Sequence, residues 1–101
     1  MSDFQLSKKA EQDLKEIYQY GYRQQGERQA DRYIHKLEKT FYFLAENPLI
    51  CPERIEFVPP VRIHHHDEHL VVYIYENNAV LIIRLLHEHM DIKNRLNENL
   101  Q

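Results

Sequence analysis

Apolar residues recur every three to four positions through the first half of the chain, which is the spacing of an amphipathic helix. The first such stretch covers residues 8–24, and its stripe consists of Ala10, Leu14, Ile17 and Tyr18. Gly26 permits the backbone to leave the helix. The second stripe runs as far as Asn47-Pro48 and consists of Ala30, Tyr33, Ile34, Leu37, Phe41 and Leu44. Two such stretches with a short connection predict an antiparallel helical hairpin.

The apolar period changes to two in the second half of the chain. Residues 48–60 contain all four prolines and predict a loop with little regular structure. Apolar runs at 61–64, 70–75 and 79–87 predict three strands. Asn77-Asn78 predicts a tight turn between the last two, because asparagine tolerates positive φ.

The complete order of elements defines an α+β fold. A short alternating segment, Phe4–Leu6, predicts an edge strand before the helical hairpin. The resulting β-α-α-β-β-β order predicts a helical hairpin packed on a small antiparallel sheet. Ile92, Leu96 and Leu100 are spaced by four and predict a short amphipathic helix in the tail. Because residues 92–101 are otherwise polar, we expect the tail to be poorly anchored to the core.

Length and composition fit one domain, residues 1–101, with a hydrophobic fraction of 43%. No stretch has the apolar length of a membrane span. Cys51 is the only cysteine, and residues 1–4 lack the pattern of a signal peptide. These features predict a cytoplasmic protein. The formal net charge of −3 gives no overall attraction to phosphate, so the expected partner is a protein rather than a nucleic acid.

The most informative segment is the apolar run 81–91, which contains a single arginine and closes on a His-x-His-Met-Asp cluster. The run resembles the last strand of ParE-type toxins of the RelE/ParE toxin–antitoxin superfamily. The helical hairpin resembles that family in its opening motif, through Leu6, Ser7, Ala10, Asp13, Leu14 and Ile17. The segments LAENPLICPE and VRIHHHDEHLVVYIYENNAVLIIRLLHEHMD resemble the family's linker and three-strand meander.

The resemblance implies the toxin of a type II toxin–antitoxin system of the plasmid-stabilisation type. ParE-like members inhibit DNA gyrase and are neutralised by a ParD-like antitoxin, whereas RelE-like members cleave messenger RNA on the ribosome. RNA cleavage needs an acid, a base and cations at the phosphate, for which this chain offers Arg62, Arg84 and His87. The acidic net charge and the absence of a dense basic cluster favour the non-enzymatic gyrase inhibitor. The nuclease and a non-toxic adaptor of the same fold remain alternatives.

An antitoxin is expected to bind the face and edge of the sheet, because the meander carries more branched apolar residues than a small core can cover. The candidate contacts are Arg62, Tyr73, Tyr75, Arg84 and His87. Two of these have alternative interpretations. A guanidinium among apolar neighbours is costly to bury unless it is paired, so Arg84 is held either in an internal ion pair or by an acidic antitoxin residue. Tyr73 either packs beneath the helices or lines the antitoxin groove.

A target protein must use other surface, namely the exposed side of the helical hairpin and the tail. Tyrosine and arginine are favoured in protein interfaces. The candidate target contacts are Tyr20, Tyr22, Arg23, Met90, Lys93 and Arg95.

Histidines are concentrated at 64–66 and 69, around Asp67 and Glu68, with His87 and His89 further along. Their spacing matches no established metal motif, so we expect a polar turn with solvated histidines and no bound metal or cofactor. A metal site remains the alternative, because two histidines two positions apart on a strand share a face.

Overall fold

The computed structural model describes residues 3–100, with side chains described through residue 97. The elements are β1 (Phe4–Leu6), α1 (Lys8–Gln25), α2 (Glu27–Glu46), β2 (Glu53–Arg54), β3 (Val61–His66), β4 (His69–Glu76), β5 (Ala79–His87) and α3 (Ile92–Leu100). The predicted order and the α+β class are confirmed. The two-residue strand β2 within the proline-rich loop is the one addition. No helix in this part of the chain is long and apolar enough to cross a membrane.

Local chemistry explains where the two long helices begin and end. The side chain of Ser7 accepts a hydrogen bond from the backbone N–H of Ala10, at 3.0 Å, and so caps α1. Gly26 separates α1 from α2 with a φ of 90°, a backbone conformation that residues with a Cβ rarely adopt. The apolar stripes of both helices then face the same side of the sheet. The helical hairpin expected from the sequence therefore forms at the expected positions.

The sheet has the strand order β1-β5-β4-β3-β2. Strands β3, β4 and β5 form an antiparallel meander, and β1 adds to β5 in parallel. Asn77 and Asn78 join β4 to β5 with φ values of 55° and 59°, as the turn prediction required. The last strand along the chain is therefore an interior strand, with the first strand beside it.

Both faces of the sheet are covered. The helical hairpin packs on one face, where Val71, Tyr73 and Ile82 are buried. On the other face the proline-rich loop contributes Phe57 and α3 contributes Leu96, which is 1% exposed. The expectation of an uncovered apolar meander is therefore wrong.

The expectation of a poorly anchored tail is also wrong. Burial of one leucine side chain contributes roughly 1.5–3 kcal/mol to folding. Leu96 makes that contribution, and Ile92 packs against the same cluster. The tail helix is part of the core of this second face, because two of its few apolar residues point into it.

A β-bulge in β5 changes which residues face the helices. Val72 pairs with Arg84 and Tyr73 pairs with Ile82, so Ile83 has no partner. Before the bulge Ile82 faces the helical hairpin, and after it Leu85 does, three positions later instead of two. Bulges re-aim side chains in this way. Arg84 lies opposite Val72 in the register, and its guanidinium reaches both Asp13 of α1 and the carbonyl of Arg95 in α3.

Candidate functional site

Three histidines form one row across the end of the sheet. His66 pairs with His69 across β3 and β4, and His69 pairs with His87 across β4 and β5. Directly opposed residues share a face, so all three side chains lie on the side of the helical hairpin. The rings of His69 and His87 are 5.6 Å apart between centroids. We call these three residues the histidine row.

Helix α2 covers two members of the histidine row. The hydroxyl of Tyr33 and Nδ1 of His69 are hydrogen-bonded at 2.6 Å, and the hydroxyl of Thr40 and Nδ1 of His66 at 2.9 Å. His69 is 9% exposed, and Nε2 of His66 is buried without a hydrogen-bond partner. The expectation that these histidines are solvated in a polar turn is wrong for His66 and His69, because α2 packs over the turn.

Burial shifts the pKa values of two hydrogen-bonded residues, His69 and Tyr33. It lowers the pKa of His69, because the charged imidazolium loses its hydration. It also raises the pKa of Tyr33, with smaller contributions from Asp67 and Glu68 in the same direction. Tyr33 and His69 are therefore both neutral near pH 7 and are joined by one hydrogen bond between the hydroxyl and Nδ1. Among the residues described, no group of three or more His, Cys, Asp or Glu side chains is arranged to hold a metal ion.

A cavity of about 360 Å³ opens beside the histidine row, between α1 and the end of β5. We call it the hairpin groove. Its apolar floor is formed by Ile17 and the buried Leu85, and its more exposed lining includes Glu16, Tyr20, Glu68, His87 and Met90. A smaller cavity of about 140 Å³ continues it between α1 and α2 and shares Ile17, Tyr20, Glu68 and His69 with it. Of the residues expected in functional surfaces, the structure thus brings together Tyr20, His87 and Met90.

Arg84 is held inside the chain by Asp13 of α1. Its Nε donates to Asp13 Oδ2 at 2.8 Å and its Nη2 to Oδ1 at 3.2 Å, and the two residues are 7% and 8% exposed. Nη1 donates to the carbonyl of Arg95 in α3, at 3.1 Å. Of the two interpretations of Arg84, the internal ion pair is confirmed. Pairing with an acidic antitoxin residue is contradicted, because both carboxylate oxygens and the guanidinium are already engaged and buried.

Asp13 also closes the edge of β5 where β1 ends. Beyond β1, the side chain of Ser7 donates to the carbonyl of Ile83 at 2.8 Å, and the N–H of Leu85 donates to Asp13 at 2.9 Å. The side chains of Ser7 and Asp13 thus satisfy backbone groups of β5 at positions where β1 no longer pairs with it. Sequence reasoning used Asp13 only as part of a family motif. The signal that could have identified it was its position beside Leu14 on the buried stripe of α1.

The remaining expected antitoxin contacts differ in accessibility. Tyr73 is fully buried beneath the helices, and its hydroxyl donates to the carbonyl of Pro48 at 2.9 Å. The expectation that Tyr73 lines an antitoxin groove is therefore contradicted for the free protein. Arg62 donates from Nη1 to the carbonyl of Cys51, and Tyr75 is partly buried against the helical core. Both keep part of their surface exposed.

The structure does not bring the three nuclease candidates together. Arg62 lies four positions along β3 from His66, which is roughly 13 Å at the rise of a β-strand, while His87 lies in the row of His66. The guanidinium of Arg84 is buried against Asp13. The possibility that these residues converge on one phosphate is thus contradicted by the strand register and this ion pair.

The expected target contacts separate into two groups. Tyr20, which is 59% exposed, and Met90 line the hairpin groove. Tyr22 and Arg23 are exposed near the end of α1, and Lys93 and Arg95 are exposed on α3. Sequence reasoning missed a further exposed apolar surface on α2 and the proline-rich loop. Its signal was the run of apolar residues among the prolines, and its members are Phe43, Leu49, Ile50, Ile55 and Val58.

The comparisons with known proteins agree with this fold. The family described as the ParE toxin of the type II toxin–antitoxin system parDE matches residues 4–92. A protein named Toxin ParE from Escherichia coli is 32% identical over 102 residues, covering 100% of this chain and 99% of that protein. The chain belongs to the ParE toxin family of type II toxin–antitoxin systems.

A solved structure supports the fold independently. It is titled "Chromosomal ParDE TA system from P. aeruginosa" and aligns with a TM-score of 0.74, covering 86% of this chain and 96% of the matched chain. The two sequences are 19% identical over the alignment, so this similarity concerns the fold alone.

Proposed function

We propose that the protein arrests growth in the cytoplasm by binding and inhibiting DNA gyrase, and that a ParD-like antitoxin neutralises it. The observation that carries the proposal is the separation of Arg62, Arg84 and His87. A nuclease needs its acid, base and cations at one phosphate, whereas an inhibitor that acts by binding needs no such constellation. The net charge of −3 also disfavours docking onto ribosomal RNA.

A supercoiling assay tests the gyrase proposal. Purified protein is added to gyrase with relaxed plasmid, and supercoiling should fall with increasing toxin and recover when the antitoxin is added first. Full supercoiling at saturating, folded toxin would contradict the gyrase assignment. The nuclease alternative is tested in parallel by mapping transcripts after expression: cleavage at ribosomal A sites that His87→Ala abolishes would establish it. Normal growth on expression would favour the adaptor.

The antitoxin is proposed to bind through residues that keep exposed surface, namely Arg62, Tyr75 and His87. The exposed apolar side chains of Phe43 and the proline-rich loop support a protein partner, because a partner could bury them. Pull-down with the product of the neighbouring gene should recover a stable complex. Failure of the folded toxin to retain that protein would contradict the proposal that it is the antitoxin.

Target contact is proposed to use Tyr22 and Arg23 of α1 and Lys93 and Arg95 of α3. Deleting the tail does not test this, because Leu96 belongs to the core. Point substitution does: Arg23→Ala and Lys93→Ala change exposed side chains and should weaken gyrase inhibition while the antitoxin still binds. Equal inhibition by both variants and the original protein would remove these residues from the target surface.

A further inference from the structure

The hairpin groove contains two carboxylates that no cation neutralises. Glu16 of α1 and Glu68 of the β3–β4 turn line it, and within the described part of the chain neither has a lysine or arginine nitrogen within 4.0 Å. His87 lies 3.6 Å from Glu68 but carries charge only when it is protonated. Asp13, the third acidic residue there, is paired with Arg84. The groove therefore carries unbalanced negative charge.

Basic side chains line only the neighbouring extension of the groove. Arg32 and Lys36 contribute to the smaller cavity between α1 and α2 and do not line the larger one. The two cavities thus differ in charge although they share Glu68. A ligand that enters the larger cavity meets carboxylates and no lysine or arginine side chain among the lining residues.

The uncharged part of the same cavity fits the stem of a long side chain. Ile17, Leu85 and Met90 provide apolar surface, and Tyr20 adds an exposed aromatic ring. Lysine and arginine bury their methylene stems along apolar surface while the charged head stays near water or a carboxylate. Aromatic rings also attract such cations. The combination of apolar floor, aromatic ring and two carboxylates matches a basic side chain better than an acidic or purely apolar one.

We propose that the hairpin groove receives a lysine or arginine side chain of the antitoxin, with its stem on Ile17 and Leu85 and its cation between Glu16 and Glu68. This inference rests on the proposed function, since it names how the proposed antitoxin engages the toxin. The groove is open in the free protein, so it needs no rearrangement to receive the side chain. The same occupancy covers Tyr20 and Met90, two of the target contacts expected from the sequence, so a target that used them would compete with the antitoxin for this surface.

Charge reversal tests the proposal, with the purified product of the neighbouring gene as the probe. The double variant Glu16→Lys/Glu68→Lys should bind that protein at least about tenfold more weakly, because like charges then meet across a partly desolvated site. Glu38→Lys is the control for charge reversal, with half the change in net charge: Glu38 is exposed on α2 and lines neither cavity, and its reversal should leave Kd within about threefold. The neutral variant Glu16→Gln/Glu68→Gln should fall between them. Equal thermal midpoints establish that the variants are folded.

The possible outcomes distinguish this proposal from the function on which it rests. If the original toxin binds and the double variant binds equally well, the groove assignment is wrong while the antitoxin proposal stands. Loss of binding in Glu38→Lys as large as in the double variant would make the effect one of net charge and would also overturn the assignment. If the original folded toxin does not bind at all, the antitoxin proposal fails first. Rescue of the double variant by a Lys→Glu or Arg→Glu change in the antitoxin identifies the inserted residue.

Discussion

Two polar clusters contact the helical hairpin, and they differ in how completely the chain satisfies their hydrogen-bonding groups. The Asp13–Arg84 pair is charged, almost fully buried and provided with partners at every guanidinium nitrogen. The histidine row leaves Nε2 of His66 without a partner and lines the hairpin groove through His69 and His87. The first cluster therefore joins elements of the fold. The second presents His69 and His87 to a cavity that another molecule can enter.

The largest expected effect comes from breaking the charged cluster. Asp13→Ala leaves the Arg84 guanidinium buried without its counter-ion and should lower the free energy of unfolding by about 3–5 kcal/mol. Urea denaturation followed by circular dichroism measures it. Glu38→Ala, on an exposed part of α2, is the control and should change the value by less than about 0.5 kcal/mol. A loss below about 1 kcal/mol for Asp13→Ala would mean that the pair contributes no more than a surface ion pair.

Replacing both partners sharpens the same test. Asp13→Leu/Arg84→Met removes the charges together and keeps similar side-chain volume. It should be much less destabilising than Asp13→Ala, because no unpaired charge is left in the core. The N–H of Leu85 loses its acceptor in either variant, so that cost is common to both. If the double variant were less stable than Asp13→Ala, the cost of an isolated guanidinium would not be the main cause of the stability lost in Asp13→Ala.

An intermediate effect is expected from the hydrogen bond between Tyr33 and His69. Tyr33→Phe removes the hydroxyl that lies 2.6 Å from Nδ1 and leaves a buried ring nitrogen without a partner. The expected loss is about 1–3 kcal/mol in the free energy of unfolding. Tyr20→Phe removes a hydroxyl from an exposed ring and should leave stability within about 0.5 kcal/mol. Equal stability of both variants would show that the short contact adds nothing to folding.

The smallest effect is a dependence of stability on pH. Burial lowers the pKa of His69 in the folded state. As the pH falls, His69 is therefore protonated in the unfolded chain at a higher pH than in the folded chain. Stability should therefore be constant above about pH 6.5, the ordinary value for histidine, and fall as the pH drops below it. His69→Gln should flatten this dependence, although His64, whose pKa burial also lowers, keeps part of it. His65→Gln, at an exposed position, should leave the dependence as it was; equal flattening by both would contradict the assignment.

The sequence pattern determined the elements because each carries its own periodic signal. The stripes of α1 and α2 and the bounds of β5 follow from spacing alone, and the Asn77-Asn78 turn from the tolerance of asparagine for positive φ. The partners of buried polar residues could not be predicted in the same way. Arg84 was recognisable as an anomaly, but Asp13 lies 71 residues away and pairs with it only through tertiary packing.

The errors concern which surfaces cover one another. An alternating strand indicates that one face is apolar. It does not indicate whether a loop and a tail helix cover the other face. Here they do, through Phe57 of the loop and Leu96 of α3. The bulge at Ile83 has no sequence signal, yet it decides which face Arg84 takes. The polar neighbours of His69 predict a solvated side chain. Tyr33, which buries it, is 36 residues away.

The pairing of β1 with β5 has a consequence for how this toxin is made. The side chain of Ser7 donates a hydrogen bond to Ile83 across 76 residues of sequence. Strand β5, which lies between β1 and β4, is the last strand of the sheet to be synthesised. Contacts between distant segments close late, because loop closure costs entropy before the contacts form. A growing polypeptide therefore has no complete sheet, and no Arg84 for Asp13, until β5 has been translated. A premature stop codon anywhere before β5 consequently yields an unfolded fragment rather than a smaller toxin.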